Sequence, residues 1–170
     1  MWRILSATLA ATVLGAAGPA VGQAAKSLGA FDQWAAYSHG AGPALVCYVY
    51  GEPQKQEGAY TRRDPTYVQV AHRPRDKAAN EISVTAGYAY RKDSEVELEI
   101  DGAKFALFTA DGAAWARDAK TEGAIVKAMM AGRQLIVKGT SARGTATVDT
   151  YALKGFTAAI NAINSACGVK

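Results

Sequence analysis

The side chains that most often carry chemistry are sparse in this sequence. It contains two histidines, His39 and His72, which lie far apart along the chain, and two cysteines, Cys47 and Cys167. A metal centre needs several convergent histidine, cysteine or carboxylate ligands, and a cysteine nucleophile needs a thiolate with a histidine partner. Neither H-x-H nor C-x-x-C spacing is present. We therefore predict no metal site and no cofactor.

The closest approach to a serine nucleophile is residues 139–144, GTSARG. Ser141 in this run lacks the G-x-S-x-G spacing that presents a hydrolase nucleophile on a sharp turn. Glycine and hydroxyl residues in such density are typical of a turn. The alternative is a small anion site that uses Arg143. The chain is accordingly predicted to be non-enzymatic, and an uncharacterised hydrolase remains as the enzymatic alternative.

A basic cluster is the one feature that indicates a partner. Arginine side chains suit phosphate and carboxylate groups, and loops carry binding residues more often than strands do. The alternative is ordinary surface charge, partly offset by neighbouring aspartates. The cluster, which is a candidate anion or partner contact, consists of Arg62, Arg63, Arg73 and Arg75.

The N-terminus predicts export from the cytoplasm. Arg3 precedes an uncharged apolar run over residues 4–17, and small residues follow at 20–25. This order is that of a secretory signal peptide, with cleavage after residue 22 or as late as residue 25. The apolar run is shorter than the about 20 residues that span a bilayer. We predict a signal peptide at residues 1–22 and a single mature domain at residues 23–170, located in the periplasm, secreted, or associated with the outer membrane.

Charge argues against a nucleic-acid partner. The formal net charge of the whole chain is +4, which is far from the concentrated positive charge of a nucleic-acid binder. No later segment is apolar enough to span a membrane once the signal is removed. The sequence therefore predicts neither a nucleic-acid partner nor a membrane span in the mature chain.

Period-2 alternation predicts strands with one buried face through most of the chain. It is clearest at residues 95–100, where three carboxylates share one face and three aliphatic side chains the other, as on a strand with one solvated face. Residues 51–64 and 73–80 are polar and are predicted to be exposed loops. Further strands are predicted at residues 34–38, 44–50, 66–72, 81–90, 104–109, 133–139 and 145–153.

Two segments change to helical spacing. Residues 122–129 place apolar side chains on one face, with Gly132 as the stop. Phe156, Ile160, Ile163 and Cys167 form a second stripe near the C-terminus. The predicted fold is mostly β, an antiparallel sandwich or barrel-like sheet that carries two short helices, the second at the C-terminus.

Cys47 and Cys167 fall on apolar faces of a predicted strand and of the second predicted helix. An even pair of cysteines in an oxidising compartment predicts a disulfide. The alternative is two separate buried thiols that behave as small apolar side chains.

From residue 87 onward the sequence resembles the invasion-associated locus B family of bacterial envelope proteins. The resemblance is carried by GYAYRKDSEVELEIDGAKFALF, by AWARD and by the run AMMAGRQLIVKGTSARGTATVDTYALKGFTAAINAINSAC; upstream, Trp34 and Cys47 also fit. It implies a secreted or periplasmic protein, with some relatives tied to host-cell invasion. The expected partner is accordingly an unidentified component of the envelope or of a host surface. The resemblance implies no catalytic residues, cofactor or substrate.

These observations together predict a non-enzymatic envelope protein that acts through its surface. The alternative is a small-ligand binding module with a pocket inside the sheet.

Overall fold

The computed structural model describes residues 24–169. The predicted signal peptide lies outside the described residues. Lys26 begins the first strand, so a cut at any position from residue 22 to residue 25 leaves that strand intact.

Within residues 24–169 the chain forms eleven strands in one antiparallel sheet and two α-helices. The strands are β1 (Lys26–Phe31), β2 (Trp34–His39), β3 (Val46–Gly51), β4 (Lys55–Gly58), β5 (Tyr67–Arg73), β6 (Ala78–Thr85), β7 (Glu95–Ile100), β8 (Ala103–Ala110), β9 (Ala113–Trp115), β10 (Gln134–Thr140) and β11 (Ala146–Ala152). The helices are α1 (Ala119–Ala131) and α2 (Phe156–Cys167). The prediction of a mostly β fold with a C-terminal second helix is confirmed.

The sheet curls until distant strands meet. The strand order is β1-β2-β3-β5-β6-β9-β8-β7-β10-β11-β4, which places β2 and β11 near opposite edges. The indole nitrogen of Trp34 on β2 nevertheless donates to the carbonyl oxygen of Ala152 on β11 at 3.0 Å. A sheet that curls in this way surrounds an interior, which side chains fill.

Alternation along the strands fills that interior, as the sequence predicts. On β7, for example, Val96, Leu98 and Ile100 are buried, while the intervening glutamates lie on the outer face. There Glu97 and Glu99 pair with Lys138 of β10 at 2.9 and 2.8 Å. The three carboxylates are therefore the solvated side of a strand, as predicted.

Each helix has the boundaries that its end residues dictate. The Asp118 side chain accepts a hydrogen bond from the Thr121 amide at 2.8 Å, which caps the start of α1. Gly132 follows the end of α1, and Gly168 ends α2 with a φ of 65°. That left-handed conformation favours glycine because it has no Cβ.

Three strands were absent from the sequence prediction. β4 lies inside the segment expected to be an exposed loop, and all four of its residues are exposed, so it has no buried face to produce alternation. β1 is interrupted by a register shift between Ser27 and Gly29. β9 has three residues, too few to show a period. The predicted strand at residues 81–90 is also corrected, because β6 begins at Ala78 and ends at Thr85.

The C-terminal helix is joined to two neighbouring strands, β3 and β5, by two different links. Cys47 and Cys167 form the predicted disulfide, with their Cα atoms 6.0 Å apart. Beside it, His72 is fully buried and its Nε2 lies 2.7 Å from Oδ1 of Asn164 on α2. The Asn80 amide donates to Nδ1 of His72 at 3.0 Å, so Nε2 carries the proton and donates to Asn164.

No helix among the described residues is long and apolar enough to cross a bilayer.

Loss of the disulfide should be costly, because it closes a sequence separation of 120 residues. The chain-entropy model gives about 5 kcal/mol for such a loop, and measured values for disulfides are nearer about 2–4 kcal/mol. Cys47→Ser and Cys167→Ser should each lower the melting temperature clearly, and the double variant little more than either. Labelling of unfolded, unreduced protein should find no reactive thiol; two reactive thiols per chain would contradict the bridge.

His72 should make stability depend on pH. Burial lowers its pKa below the ordinary 6.5, so on acidification the unfolded chain takes up this proton before the folded one does. The stabilisation is complete above 6.5 and is lost as pH falls through the lower folded pKa. His72→Gln should flatten the fall in melting temperature over this range. His39→Gln, at an exposed position, should leave it unchanged; an equal slope for wild type and His72→Gln would contradict the assignment.

Candidate functional site

Polar side chains occupy one end of the sheet interior. The inward face of β11 carries Thr147, Asp149 and Tyr151, which are 3%, 1% and 1% exposed. A carboxylate taken out of water is strongly unfavourable unless it is paired and hydrogen-bonded. Asp149 must therefore have a buried, positively charged partner at this end of the sheet.

Arg63, in the loop that follows β4, is that partner. Its Nη1 and Nη2 donate to the two carboxylate oxygens of Asp149, both at 2.6 Å. Its Nε donates to the carbonyl oxygen of Ala86, also at 2.6 Å. The two charged side chains are 3% and 2% exposed. Burial lowers the pKa of the guanidinium, but the bonds to Asp149 outweigh this and raise it, so the pair stays ionised.

Tyrosine rings surround this ion pair. The guanidinium carbon of Arg63 lies 5.0 Å from the ring centre of Tyr88 and 5.5 Å from that of Tyr60, distances typical of cation–π contacts. The Tyr88 hydroxyl lies 2.6 Å from the Thr147 hydroxyl. Burial raises the pKa of Tyr88 and of its neighbour Tyr90. Both phenols are therefore neutral, and that of Tyr88 acts as a hydrogen-bonding group.

Two glycines allow the chain to come this close. Gly87 has a φ of +70°, and a Cβ there would collide with the backbone carbonyl of Asp64. A Cβ on Gly139 would lie 2.8 Å from the Tyr90 ring. Neither position accepts a side chain without displacing the loop or the tyrosines, so both support the packing around Arg63.

A cavity of about 640 Å³ opens beside the ion pair. Its walls come from the loop that carries Arg63, from the bend after β6 and from the β10–β11 hairpin. This volume lies within the range of about 300–1,000 Å³ usual for ligand pockets. The lining residues are Ala59, Tyr60, Thr61, Arg62, Arg63, Asp64, Gly87, Tyr88, Ala89, Ser141, Ala142, Arg143, Thr145 and Thr147.

The structure separates the five candidate arginines into two groups. Arg62, Arg63 and Arg143 line the cavity, although Arg143 lies 80 residues after Arg63 in the sequence. Arg73 lies at the other end of β5, where its Nη2 bonds Glu81 at 2.8 Å, and Arg75 is exposed in a 3₁₀ turn just beyond.

Within the cavity group the roles differ. The expectation that Arg63 is a surface contact for an anion is corrected, because all of its bonding nitrogens are engaged inside the protein. Arg62 and Arg143 are exposed at the rim.

The other candidate residues are held in local structure. The Ser141 hydroxyl accepts a hydrogen bond from the Thr145 amide at 3.1 Å, as the predicted turn requires. Among residues 24–169, no group of three or more histidine, cysteine or carboxylate side chains is placed to hold a metal ion.

The comparisons with known proteins identify the family. The family model for invasion associated locus B (IalB) protein matches residues 34–164. The chain belongs to the invasion-associated locus B family. The match includes Cys47 and every residue that lines the cavity, and it ends three residues before Cys167. Comparisons with curated proteins and with solved structures gave no match.

Sequence reasoning missed Asp149, Tyr88 and Thr147 as parts of one site. The sequence holds one indication of this site: the predicted strand at residues 145–153 places Asp149 on the same face as Tyr151 and Leu153. A carboxylate on an apolar strand face implies a buried cation, but its partner is 86 residues distant.

Removing one member of the buried pair should destabilise the fold strongly. Arg63→Met leaves Asp149 as an unpaired buried charge, which costs about 3–5 kcal/mol. The double variant Arg63→Met/Asp149→Leu should recover much of that loss, since apolar groups of similar volume can replace a buried pair. Urea unfolding measures both. Arg62→Met, an exposed neighbour, should change stability by no more than about 0.5 kcal/mol; a similarly small effect of Arg63→Met would contradict the buried pairing.

Proposed function

We propose that this protein is a non-enzymatic exported protein of the envelope, which binds an envelope or host-surface component at the cavity end of its sheet. One observation carries the proposal: the cavity of about 640 Å³ has two exposed arginines at its rim. A pocket that combines charged, hydroxyl and aromatic groups is suited to recognition.

The arrangement of the polar groups supports a binding role rather than catalysis. Arg63 is engaged with Asp149 and Ala86, and the Ser141 hydroxyl is bonded by its own turn. A nucleophile needs an adjacent base to activate it, and the raised pKa of Tyr88 keeps that phenol protonated, so that it does not accept a proton from a nucleophile at neutral pH. Non-enzymatic action is therefore the simpler proposal.

The proposed location and biological role of the protein are supported by other observations than the cavity. The Cys47–Cys167 bridge fits the periplasm or the extracellular space, because disulfides persist in oxidising compartments. The signal-like N-terminus supports the same location. The family description, invasion associated, supports a link to contact with host cells, and outer-membrane association would place the cavity where such contact occurs.

A second candidate function is that of a small-ligand binding module. The cavity favours it directly, since its volume suits one small molecule. The two functions differ in what occupies the pocket: a group that remains attached to a surface, or a free molecule.

A substitution that fills the cavity tests the proposal. Ala142 is exposed and lines the cavity, so Ala142→Trp should reduce sedimentation of the mature protein with envelope vesicles or with host cells by about tenfold, the effect of losing about 1.4 kcal/mol. Ala158→Trp, at an exposed position on α2 outside the cavity, is the matched control and should bind as the parent does.

Equal binding by Ala142→Trp and the parent would overturn the proposal. Dialysis separates the two candidate functions. If a dialysable extract raises the melting temperature of the parent and not of Ala142→Trp, the occupant is a free small molecule. If only the vesicle or cell fraction raises the melting temperature of the parent, the occupant is attached to a surface.

A further inference from the structure

The two arginines at the cavity rim are free to take a ligand. The Arg62 side chain is 87% exposed, and its ion-pair contact, with Asp64, is at 3.9 Å, close to the outer limit of such a contact. Arg143 is exposed and forms no ion pair with any residue from 24 to 169. An exposed pair of this kind contributes little to stability, so Arg62 can exchange Asp64 for a ligand at small cost.

The charge of the cavity follows from these two residues. Arg63 and Asp149 neutralise each other inside the wall. Among the lining residues, this leaves one negative charge, the carboxylate of Asp64, and two positive charges, the guanidinium groups of Arg62 and Arg143. The net charge of the lining is therefore positive. The two arginines that supply it come from separate loops and lie at the same opening. Guanidinium groups bind both carboxylate and phosphate through paired hydrogen bonds, so a ligand that carries one such anionic group suits this site.

The inner part of the cavity has a different chemistry. The hydroxyls of Tyr88 and Thr147 share one hydrogen bond at 2.6 Å, which leaves the second proton of the pair available to a ligand. The Ser141 hydroxyl accepts from the Thr145 amide and retains its own proton as a donor. Hydroxyls and a partly exposed tyrosine ring, that of Tyr60, suit a ligand body that is itself hydroxylated rather than an apolar one.

We infer that the cavity binds an anionic sugar unit, with its carboxylate or phosphate held between Arg62 and Arg143 and its hydroxyls directed toward Ser141, Thr147 and Tyr88. This inference rests on the proposed function and names the chemistry of the bound component. Acidic sugars occur both as free molecules and as terminal units of surface polysaccharides, so one site accommodates either source.

The test is a titration of the mature protein, followed by NMR, with four probes: glucuronate, glucose 6-phosphate, glucose and inorganic phosphate. We expect saturable shifts centred on the cavity residues with one or both of the acidic sugars. Glucose and inorganic phosphate should bind at least about tenfold more weakly, because each lacks half of the recognised chemistry.

Charge variants locate the binding. Arg62→Gln/Arg143→Gln should weaken the acidic sugar by about tenfold or more, since charge-assisted hydrogen bonds are lost. The control Arg75→Gln/Arg133→Gln removes the same charge from exposed positions, one at the other end of β5 and one beside Asp101, and should have no comparable effect. A polymer of glucuronate tested beside the monomer distinguishes a surface polysaccharide from a free sugar by its tighter binding.

Each outcome is decisive. Equal weakening by the two double variants, equal binding of glucose, or no saturable binding of either acidic sugar would overturn the inference. Suppose that the inference is overturned but Ala142→Trp still loses envelope binding. The cavity then binds a component of different chemistry, and the proposed function remains. If Ala142→Trp binds the envelope normally while acidic sugars bind the cavity, the proposed function fails and the inference stands.

Discussion

The buried ion pair between Arg63 and Asp149 is the constraint on which the polar end of the molecule depends. Once Asp149 lies on the inward face of β11, its charge must be met inside the protein, and Arg63 meets it with two bonds at 2.6 Å. The third bond of Arg63, to Ala86, attaches the same loop to the bend after β6. One side chain thus fixes three segments, and the cavity is the space left between them.

The other end of β5 is held by different interactions, and the contrast explains where binding is proposed. There Cys47 pairs with His72 across the β3–β5 ladder, and the disulfide and the His72–Asn164 hydrogen bond attach α2 to the sheet. Apolar side chains of α2 fill the interior along this part. The disulfide and the hydrogen bond of the neutral His72 place no charge in this region, which α2 covers and which is otherwise apolar. An ionised pair under tyrosines suits a region that meets water.

The sequence predicts the closed part of the molecule well and the open part poorly, for a physical reason. Alternation on β7 and the stripe Phe156, Ile160 and Ile163 on α2 each report burial directly, because neighbouring positions share one apolar face. Cys47 and Cys167 could be paired since no other cysteine competes. The site depends instead on contacts such as Arg63 with Asp149, which no local period records. Arg63 and Arg62 are identical residues in adjacent positions, yet one is buried and the other exposed, and only the fold distinguishes them.

That difference between adjacent arginines also determines how selective the cavity can be. The pair of Arg63 with Asp149 is neutral as a unit, so the inner wall offers hydroxyls and rings without net charge. The positive charge lies at the rim on Arg62 and Arg143, where water and salt screen it over about 8 Å at physiological ionic strength. Charge at the rim therefore attracts and orients an anion, while the hydroxyl groups within discriminate among the anions that enter. A bound component should therefore need both parts of this chemistry: an anionic group that the rim arginines hold, and a neutral part whose hydroxyl pattern fits the inner wall.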